Sequence, residues 1–420
     1  MAHRTKKVAK KEEAKLRLSK KVIILPSILF LLLSSGCWNS QELNKLAIVA
    51  AGGINFDDQK EDLTFVYQIV NPNATSSMGG VGTSKTPFFT MQTSGKTLFE
   101  AIRISTSEIS RRLYFGHMQV FVINEKFARE RGIKDVLDLL YRDHELREDI
   151  IVFIGTETNT DVLLSTQTII ENISGIAIKD HVDNAFQNYG STRPVELREA
   201  ITTLTSDTAS LTLPTVHLSP PIQKSTLETT QNSKQESIIR AEGFAVFKED
   251  KLIGFLESME AHCLNFITND LKKTIIVVSV DGGNHSIEVL HSESKITTSF
   301  KNGKPEVLVD IQIEGNIGEI NAPIDIMDLK NVRAFETATN QVMNEHITKL
   351  IKKVQKEYKV DIFHFGEILE RQHFQEFSKI KEDWDKEFVD LAVKVKINTT
   401  IRGIGMKNQP FQKEMKGAKK

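Results

Sequence analysis

Val389-Asp390-Leu391-Ala392-Val393-Lys394-Val395-Lys396-Ile397-Asn398-Thr399-Thr400-Ile401 is the most regular stretch of this chain. Val389, Leu391, Val393, Val395, Ile397, Thr399 and Ile401 alternate with Asp390, Ala392, Lys394, Lys396, Asn398 and Thr400. Side chains on a strand point to opposite faces with a period of two, so this is a strand with one dry face and one wet face. Such a strand is expected in an antiparallel sheet. Working back along the chain, Val307, Val309, Ile311 and Ile313 share a face in the same way, and 274–280 and 286–299 read as further strands. Residues 241–247 and 251–256 flank Lys248-Glu249-Asp250 as a hairpin. Between these strands lies one long helical pattern over 328–358, about 45 Å at 1.5 Å per residue. Val332, Phe335, Met343, Ile347, Leu350, Val354 and Tyr358 form its apolar stripe. The reading is α+β, with the long helix laid on the dry face of the sheet.

The first half reads as mixed α/β. Residues 46–56 and 63–70 suggest a hairpin around Asp57-Asp58-Gln59-Lys60, and 71–85 reads as a loop rich in Gly, Ser, Thr and Asn. A helix is expected over 97–113 with Leu98, Ile102, Ile109 and Leu113 on one face, then a strand over 117–123. Residues 133–142 follow as a helix with Ile133, Val136, Leu137 and Leu140 inward. The run Ile150-Ile151-Val152-Phe153-Ile154 suits a strand buried on both faces. Residues 176–205 read as helical, with a new segment at Pro194. Strands alternating with helices predict a sheet covered by helices. Residues 219–235, with Pro220-Pro221 followed by Ser, Thr, Gln, Asn and Lys, read as a linker. The expected organisation is therefore a leader over 1–36, an N-terminal domain over 37–218, the linker, and a C-terminal domain over 236–410. No internal repeat of fixed period is present.

The chain has 420 residues, 40% hydrophobic and 26% charged, an ordinary globular composition. Its two cysteines rule out a disulfide framework and a multi-cysteine metal site. The net charge of −1 conceals an asymmetry: residues 1–21 hold seven Lys and two Arg against Glu12 and Glu13, residues 22–36 carry no charge, and the remainder is acidic. The apolar run over 22–33 is shorter than the about 20 residues that span a bilayer and fits the apolar region of a secretory signal. Ser34-Ser35-Gly36-Cys37 then places small residues before a cysteine, as a bacterial lipoprotein signal does, although Leu33 stands one place early. On this reading Cys37 is the lipid attachment point and the mature chain begins there, outside the cytoplasm. An ordinary signal peptide with a chance cysteine, or an uncleaved anchor, are the alternatives. Acyl chains on Cys37 would contribute about 0.8 kcal/mol per buried CH₂. Trp38 is placed either for the membrane interface, where Trp is favoured, or for packing.

Catalytic signatures are missing. Met78-Gly79-Gly80-Val81-Gly82-Thr83-Ser84-Lys85-Thr86 has Ser84 where a phosphate loop has glycine before its lysine, and Pro87-Phe88-Phe89 offers no helix N-terminus. Glu370 and His373 lie one helical turn apart, but a di-iron site needs that pair twice, and the other copy, Glu288 and His291, falls in a strand pattern. Asp143-His144-Glu145 and Asn344-Glu345-His346 read as surface. Cys263 reads as a quiet core thiol on a helix over 256–270, where neighbouring His262 faces elsewhere. No catalytic residue, cofactor or metal is assigned.

Four blocks carry a resemblance. The first is Cys37-Trp38-Asn39-Ser40-Gln41-Glu42-Leu43 running into the apolar strand. The second is Arg111-Arg112-Leu113-Tyr114-Phe115-Gly116-His117-Met118-Gln119-Val120, continued by Gly132-Ile133-Lys134-Asp135, Arg142-Asp143 and Arg147. The third is Gly243-Phe244-Ala245-Val246-Phe247-Lys248 with Asp250-Lys251-Leu252-Ile253-Gly254-Phe255. The fourth is Gln355-Lys356-Glu357-Tyr358, Asp361-Ile362-Phe363, Gly366, Trp384 and the strand to Arg402-Gly403. In these the chain resembles the C-subunit lipoproteins of bacterial spore germinant receptors, the Ger(x)C family, from about residue 37 to 405. It departs at Phe255, where the family usually has Trp, and at Ala261-His262-Cys263, in place of a more usual Thr-Arg-Gly. The resemblance implies a non-enzymatic subunit on the outer face of the spore inner membrane, lipidated at Cys37, beside two integral membrane subunits of the A and B type. It also implies several α/β domains, leaving open a division of 37–218 near residue 170. The runner-up is a solute-binding lipoprotein of a transporter, which requires two similar lobes; the two halves here differ in pattern.

Overall fold

Residues 43–57, 62–75, 86–168, 170–219, 237–322 and 324–403 are described by the computed structural model. From Ala47 onward they form one unit, and the described part of the preceding unit is the short 3₁₀ turn Leu43–Lys45 and Leu46. Strands β1 (Leu46–Asp57), β2 (Asp62–Val70), β3 (Phe88–Gly95), β4 (Arg112–Tyr114), β5 (Val120–Asn124), β6 (Ile151–Gly155), β7 (Thr212–Ser219), β8 (Ile238–Lys248) and β9 (Lys251–Leu256) make the first sheet. Its order is β3-β2-β1-β5-β6-β7-β8-β9, with β4 alongside β1. The pairs β1–β5, β5–β6 and β6–β7 are parallel. The hairpins β1–β2–β3 on one side and β7–β8–β9 on the other are antiparallel.

The parallel centre explains the continuous apolar runs. Phe121 and Ile123 of β5 enter one hydrophobic cluster, while Val120 and Val122 enter the other. In β6, Val152 and Ile154 divide from Ile151 and Phe153 in the same way. A strand buried on both faces has no position at which a polar side chain could reach water, so its sequence cannot alternate. Helices supply both covers. Those on one side are α1 (Leu98–Glu108), α2 (Glu125–Glu130), α3 (Lys134–Arg142) and α6 (Leu197–Leu204); α4 (Thr160–Ser165) and α5 (Ser174–Asn188) lie on the other.

Helix α1 is shorter than its sequence pattern suggests. The Thr97 hydroxyl accepts from the Glu100 amide at 3.1 Å and the Glu100 carboxylate accepts from the Lys96 amide at 2.7 Å, a reciprocal cap at its start. At its other end Ile109 turns extended and Leu113 is buried in β4 beside β1. Sheet pairing, not helical spacing, buries Leu113.

The second sheet has the order β10 (Thr274–Val280), β11 (Gly283–Lys301), β12 (Lys304–Glu319), β13 (Ala392–Gly403). Its first two pairings are antiparallel, as expected, but β13 lies parallel to β12. The chain returns through the 25-residue helix α8 (Leu329–Lys353), which reverses its direction before β13 begins. Alternation in residues 389–401 reports one covered face; it carries no information on strand direction. Phe335, Met343, Ile347 and Leu350 of α8 are buried with Val307, Val309, Ile311 and Ile313 in one core, so the long helix does lie on the dry face. Helices α7 (Ser258–Ile267), α9 (Phe365–Gln372) and α10 (Trp384–Val389) complete this half.

Strands β7 and β8, on either side of the expected linker, pair with each other, Leu218 opposite Ile239. The hairpin of β8 and β9 therefore belongs to the first sheet, and that sheet runs across residues 219–235. Residues 220–235 themselves lie outside the described residues, as do the leader, Cys37 and Trp38.

Candidate functional site: a buried junction

Asp361 is the centre of a heavily bonded buried group. Its side chain accepts from the Phe363 amide at 3.0 Å, the Gly366 amide at 2.8 Å and Trp384 Nε1 at 3.2 Å, while its own carbonyl accepts from the Ser210 amide at 2.8 Å. The carboxylate thus ties α9 to α10, and its backbone ties both to the segment before β7. Burial drives its carboxyl up to about 6 from an ordinary 3.8, and the amide donors pull only partly back. Gly366 fits because a Cβ there would lie 2.7 Å from both Thr208 Cβ and Trp384 Nε1. Trp384, 1% exposed, stacks edge-on to Phe377 with ring centres 5.3 Å apart. Gln355 belongs to the same system, donating to the carbonyls of Phe388 and Leu391 at 2.9 Å each.

The third and fourth sequence blocks meet at the end of α8. A π turn over Val354–Tyr358 carries Tyr358 onto β9, where its hydroxyl donates to the Phe255 carbonyl at 2.7 Å and its ring covers Gly254. Lys353 bonds both oxygens of Glu260 at 2.8 Å. Burial alone would lower the Lys353 ammonium, but Glu260 and Tyr358 together outweigh it and the net shift is upward. Phe255 offers its ring to the Arg129 guanidinium, 5.1 Å from the ring centre.

The second block divides by face. Leu113, Phe115, Met118 and Val120 are buried, whereas Arg111, Arg112, His117 and Gln119 are exposed. Arg112 pairs with Glu145, and Tyr114 packs edge-on to His117 at 5.7 Å. Its buried half fixes β4 and β5; its exposed half is available surface.

The remaining sequence candidates separate. Glu370 accepts from Lys381 at 3.0 Å, while His373 Nε2 bonds the Thr298 carbonyl at 2.8 Å, so the two face different partners. Glu288 lies opposite Ile275, and His291, past a bulge, opposite Glu314. His144 is exposed, and Glu145 is held by Arg112. Asn344 is not surface: it is half-buried and donates to the Val395 carbonyl at 3.2 Å. Cys263 is buried with its thiol pushed up to about 12 by desolvation, an unreactive state. The His262 ring packs edge-on against Tyr189 at 4.8 Å, and burial lowers it to about 4. Of the loop at 78–86 only Thr86 lies within the described residues; the strand β3 follows it.

Beyond the carboxyl ends of β5 and β6, where open α/β sheets hold ligands, there is a cleft of ≈ 480 Å³. Glu125, Glu157, Glu242, Glu257 and His217 line it, His217 Nε2 standing 3.9 Å from Glu242. It is acidic and holds no nucleophile paired with a base. Among the described residues no three His, Cys, Asp or Glu side chains converge as a metal site, and no helix is long and apolar enough to cross a membrane.

Sequence reasoning placed Asp361, Gly366, Trp384 and Gln355 in the fourth block without a role. The signal was there: Asp361 stands between Val360 and Ile362-Phe363, and an acid within an apolar run needs donors.

The fold is thus a two-sheet α/β protein whose bonded clusters are structural. Residues 39–218 match the model of the spore germination protein N-terminal domain, and residues 242–405 match the family described as spore germination B3/GerAC like, C-terminal. Spore germination protein KC of Bacillus subtilis (strain 168) is 31% identical over 94% of this chain and 98% of its own length. Spore germination protein A3 of the same organism is 26% identical over 92% and 99%. A crystal structure of the GerBC protein, 18% identical, superposes with a TM-score of 0.54 over 84% of this chain and 97% of that one, which shows the shared fold. The chain belongs to the GerAC-like family of spore germination proteins.

Proposed function

We propose that this chain is a lipid-anchored, non-enzymatic subunit of a spore germinant receptor. It is attached through Cys37 to the outer face of the spore inner membrane and works beside two integral membrane subunits of the A and B type. The observation that carries this reading is the family match, which runs in order through both halves and joins the chain to relatives named spore germination proteins over more than nine-tenths of its length. The N-terminal Ser34-Ser35-Gly36-Cys37 after an apolar run supports the anchor. The bonded polar groups support a scaffold: buried Asp361 and half-buried Lys353 are occupied by structural partners. The expected domain division at 219–235 stands within this proposal as a boundary in sequence, with β7 and β8 joining the two parts as neighbouring strands.

The deciding experiment replaces Cys37 with Ala and follows nutrient-triggered germination and membrane retention in spores. Loss of both is the expected outcome. Normal germination with the variant still membrane-bound would sink the anchor, and germination unchanged on deletion of the whole chain would sink the receptor role.

A further inference from the structure

Strand β10, Thr274-Ile275-Ile276-Val277-Val278-Ser279-Val280, is the outer strand of the second sheet. Natural edge strands are usually protected by charge, proline or a bulge. This one has none of these: it contains no charged residue and no proline, and its register with β11 is unbroken over seven pairs. The opposite edge of the same sheet is guarded. There β13 carries Lys394, Lys396 and Arg402, Asn344 bonds the Val395 carbonyl, and Glu336 accepts from the Ile401 amide at 3.0 Å.

The hairpin turn fixes which backbone groups of β10 are open. Asp281 and Gly282 form a two-residue turn with φ of 48° and 76°, and Val280 lies opposite Gly283. In such a turn the flanking residues form a hydrogen-bonded pair. By alternation Thr274, Ile276, Val278 and Val280 bond β11, and the N–H and C=O groups of Ile275, Val277 and Ser279 face the edge. Among the described residues no loop backbone bonds these three. The Gly190 turn abuts the Lys273 carbonyl and bounds the open edge there. On the wet face Ile275 is 48% and Val277 56% exposed, while Ile276 and Val278 are buried.

We propose that this edge pairs with the same edge of a second copy of the chain, antiparallel about a two-fold axis through Val277. In that register Val277 lies opposite Val277, Ile275 opposite Ser279 and Ile276 opposite Val278 of the second copy. The three open residues of each strand then meet as hydrogen-bonded pairs, about six backbone bonds in all. The flanks select this register and a self-partner: the exposed Lys273 of each copy faces the exposed Asp281 of the other. A shift of the axis to Ile276 would set Lys273 against Ser279, and a shift to Val278 would set Ile275 against Asp281, so both lose the charge match. The exposed Ile275 and Val277 of the two copies join on one face. Seven residues a side bury less than the about 1,200 Å² of a stable complex. The pairing is therefore weak in dilute solution and strengthens where copies are held at high local concentration.

The test uses the full chain in lipid nanodiscs or membranes, with Val277→Cys and a mild oxidant. A hydrogen-bonded antiparallel pair holds Cα atoms about 5.5 Å apart, within disulfide range. Val277→Cys is expected to give a covalent band at twice the chain mass. The unmodified chain, whose Cys263 is buried, and Ser299→Cys, an exposed control on β11, are expected to give severalfold less. Adding Lys273→Glu is expected to cut the Val277→Cys yield severalfold, and Lys273→Glu with Asp281→Lys to restore it. A yield no greater than the Ser299→Cys control overturns the proposal. So does a cross-link to a partner of another mass, or a yield indifferent to the charge reversals. Should the cysteine variant fail to fold, sedimentation of the unmodified chain in detergent decides: a concentration-dependent dimer upholds the proposal and a monomer at all concentrations rejects it.

Discussion

Two polar systems hold the C-terminal half of this protein together, and they sit at opposite extremes of burial. Around Asp361 a few groups are sealed inside the core, each with a fixed partner. Along β12 and β13 an open row of ion pairs crosses the strands: Glu306 with Lys394 at 3.4 Å, Asp310 with Lys396 at 2.9 Å and Glu314 with Arg402 at 2.5 Å. The row has more charge and contributes less. Its members trade water for each other at little gain, whereas a buried donor or acceptor that loses its partner has no water to replace it. Number of charges and contribution to stability run in opposite directions here.

The largest effect should come from Trp384→Ala, which removes the indole and its bond to Asp361 from a fully packed site. A loss of about 3–5 kcal/mol is expected from urea unfolding, with germination lost through lowered abundance. A loss below about 1 kcal/mol would mean that the junction is slack and the contrast with the ladder is false.

Asp361→Asn should cost less, about 1–3 kcal/mol, because the side chain keeps its volume but turns a donor toward groups that already donate. It also tests the titration. The folded carboxyl, near 6, lies above its ordinary 3.8, so between those values the folded state binds more protons than the unfolded one. The Asp361 contribution therefore falls as pH rises from about 4 to about 6 and is level outside that window. Melting temperature measured across that range should show this decline in the parent chain and a flatter profile in Asp361→Asn. Equal slopes in the two would show that Asp361 is charged throughout.

The smallest effect is expected for Lys396→Ala on the exposed row, below about 1 kcal/mol and shrinking further in high salt. A loss comparable with Asp361→Asn would show that the row works as a coupled network rather than as separate surface pairs.

Much of this was legible in residue order. The hairpin of β1 and β2, the buried run of β6, the helix α3 and the long helix on a dry sheet face all follow from periodicity. The errors have a common cause. Leu113 looked helical because a spacing of four fits one helix face, yet it is buried by pairing beside β1. Asn344 looked like surface because a polar residue on a helix usually is, yet it covers an open carbonyl on β13. In each case the decisive partner is far away in sequence, and local pattern carries no term for it.

By itself the sequence determined the alternating and continuous strands, the amphipathic helix, the acidic remainder behind a basic N-terminal stretch, and the family through four blocks in order. Those properties depend on which side chains can leave water together, and neighbours in the chain settle that. Only the tertiary structure decided that β13 runs parallel to β12, that β8 and β9 extend the first sheet across residues 219–235, and that Asp361 is a buried tie rather than a reactive acid. Strand direction and buried hydrogen bonds depend on where the chain returns in space. The crossover through α8 and the pairing of β7 with β8 set that return, and no single stretch of sequence contains it.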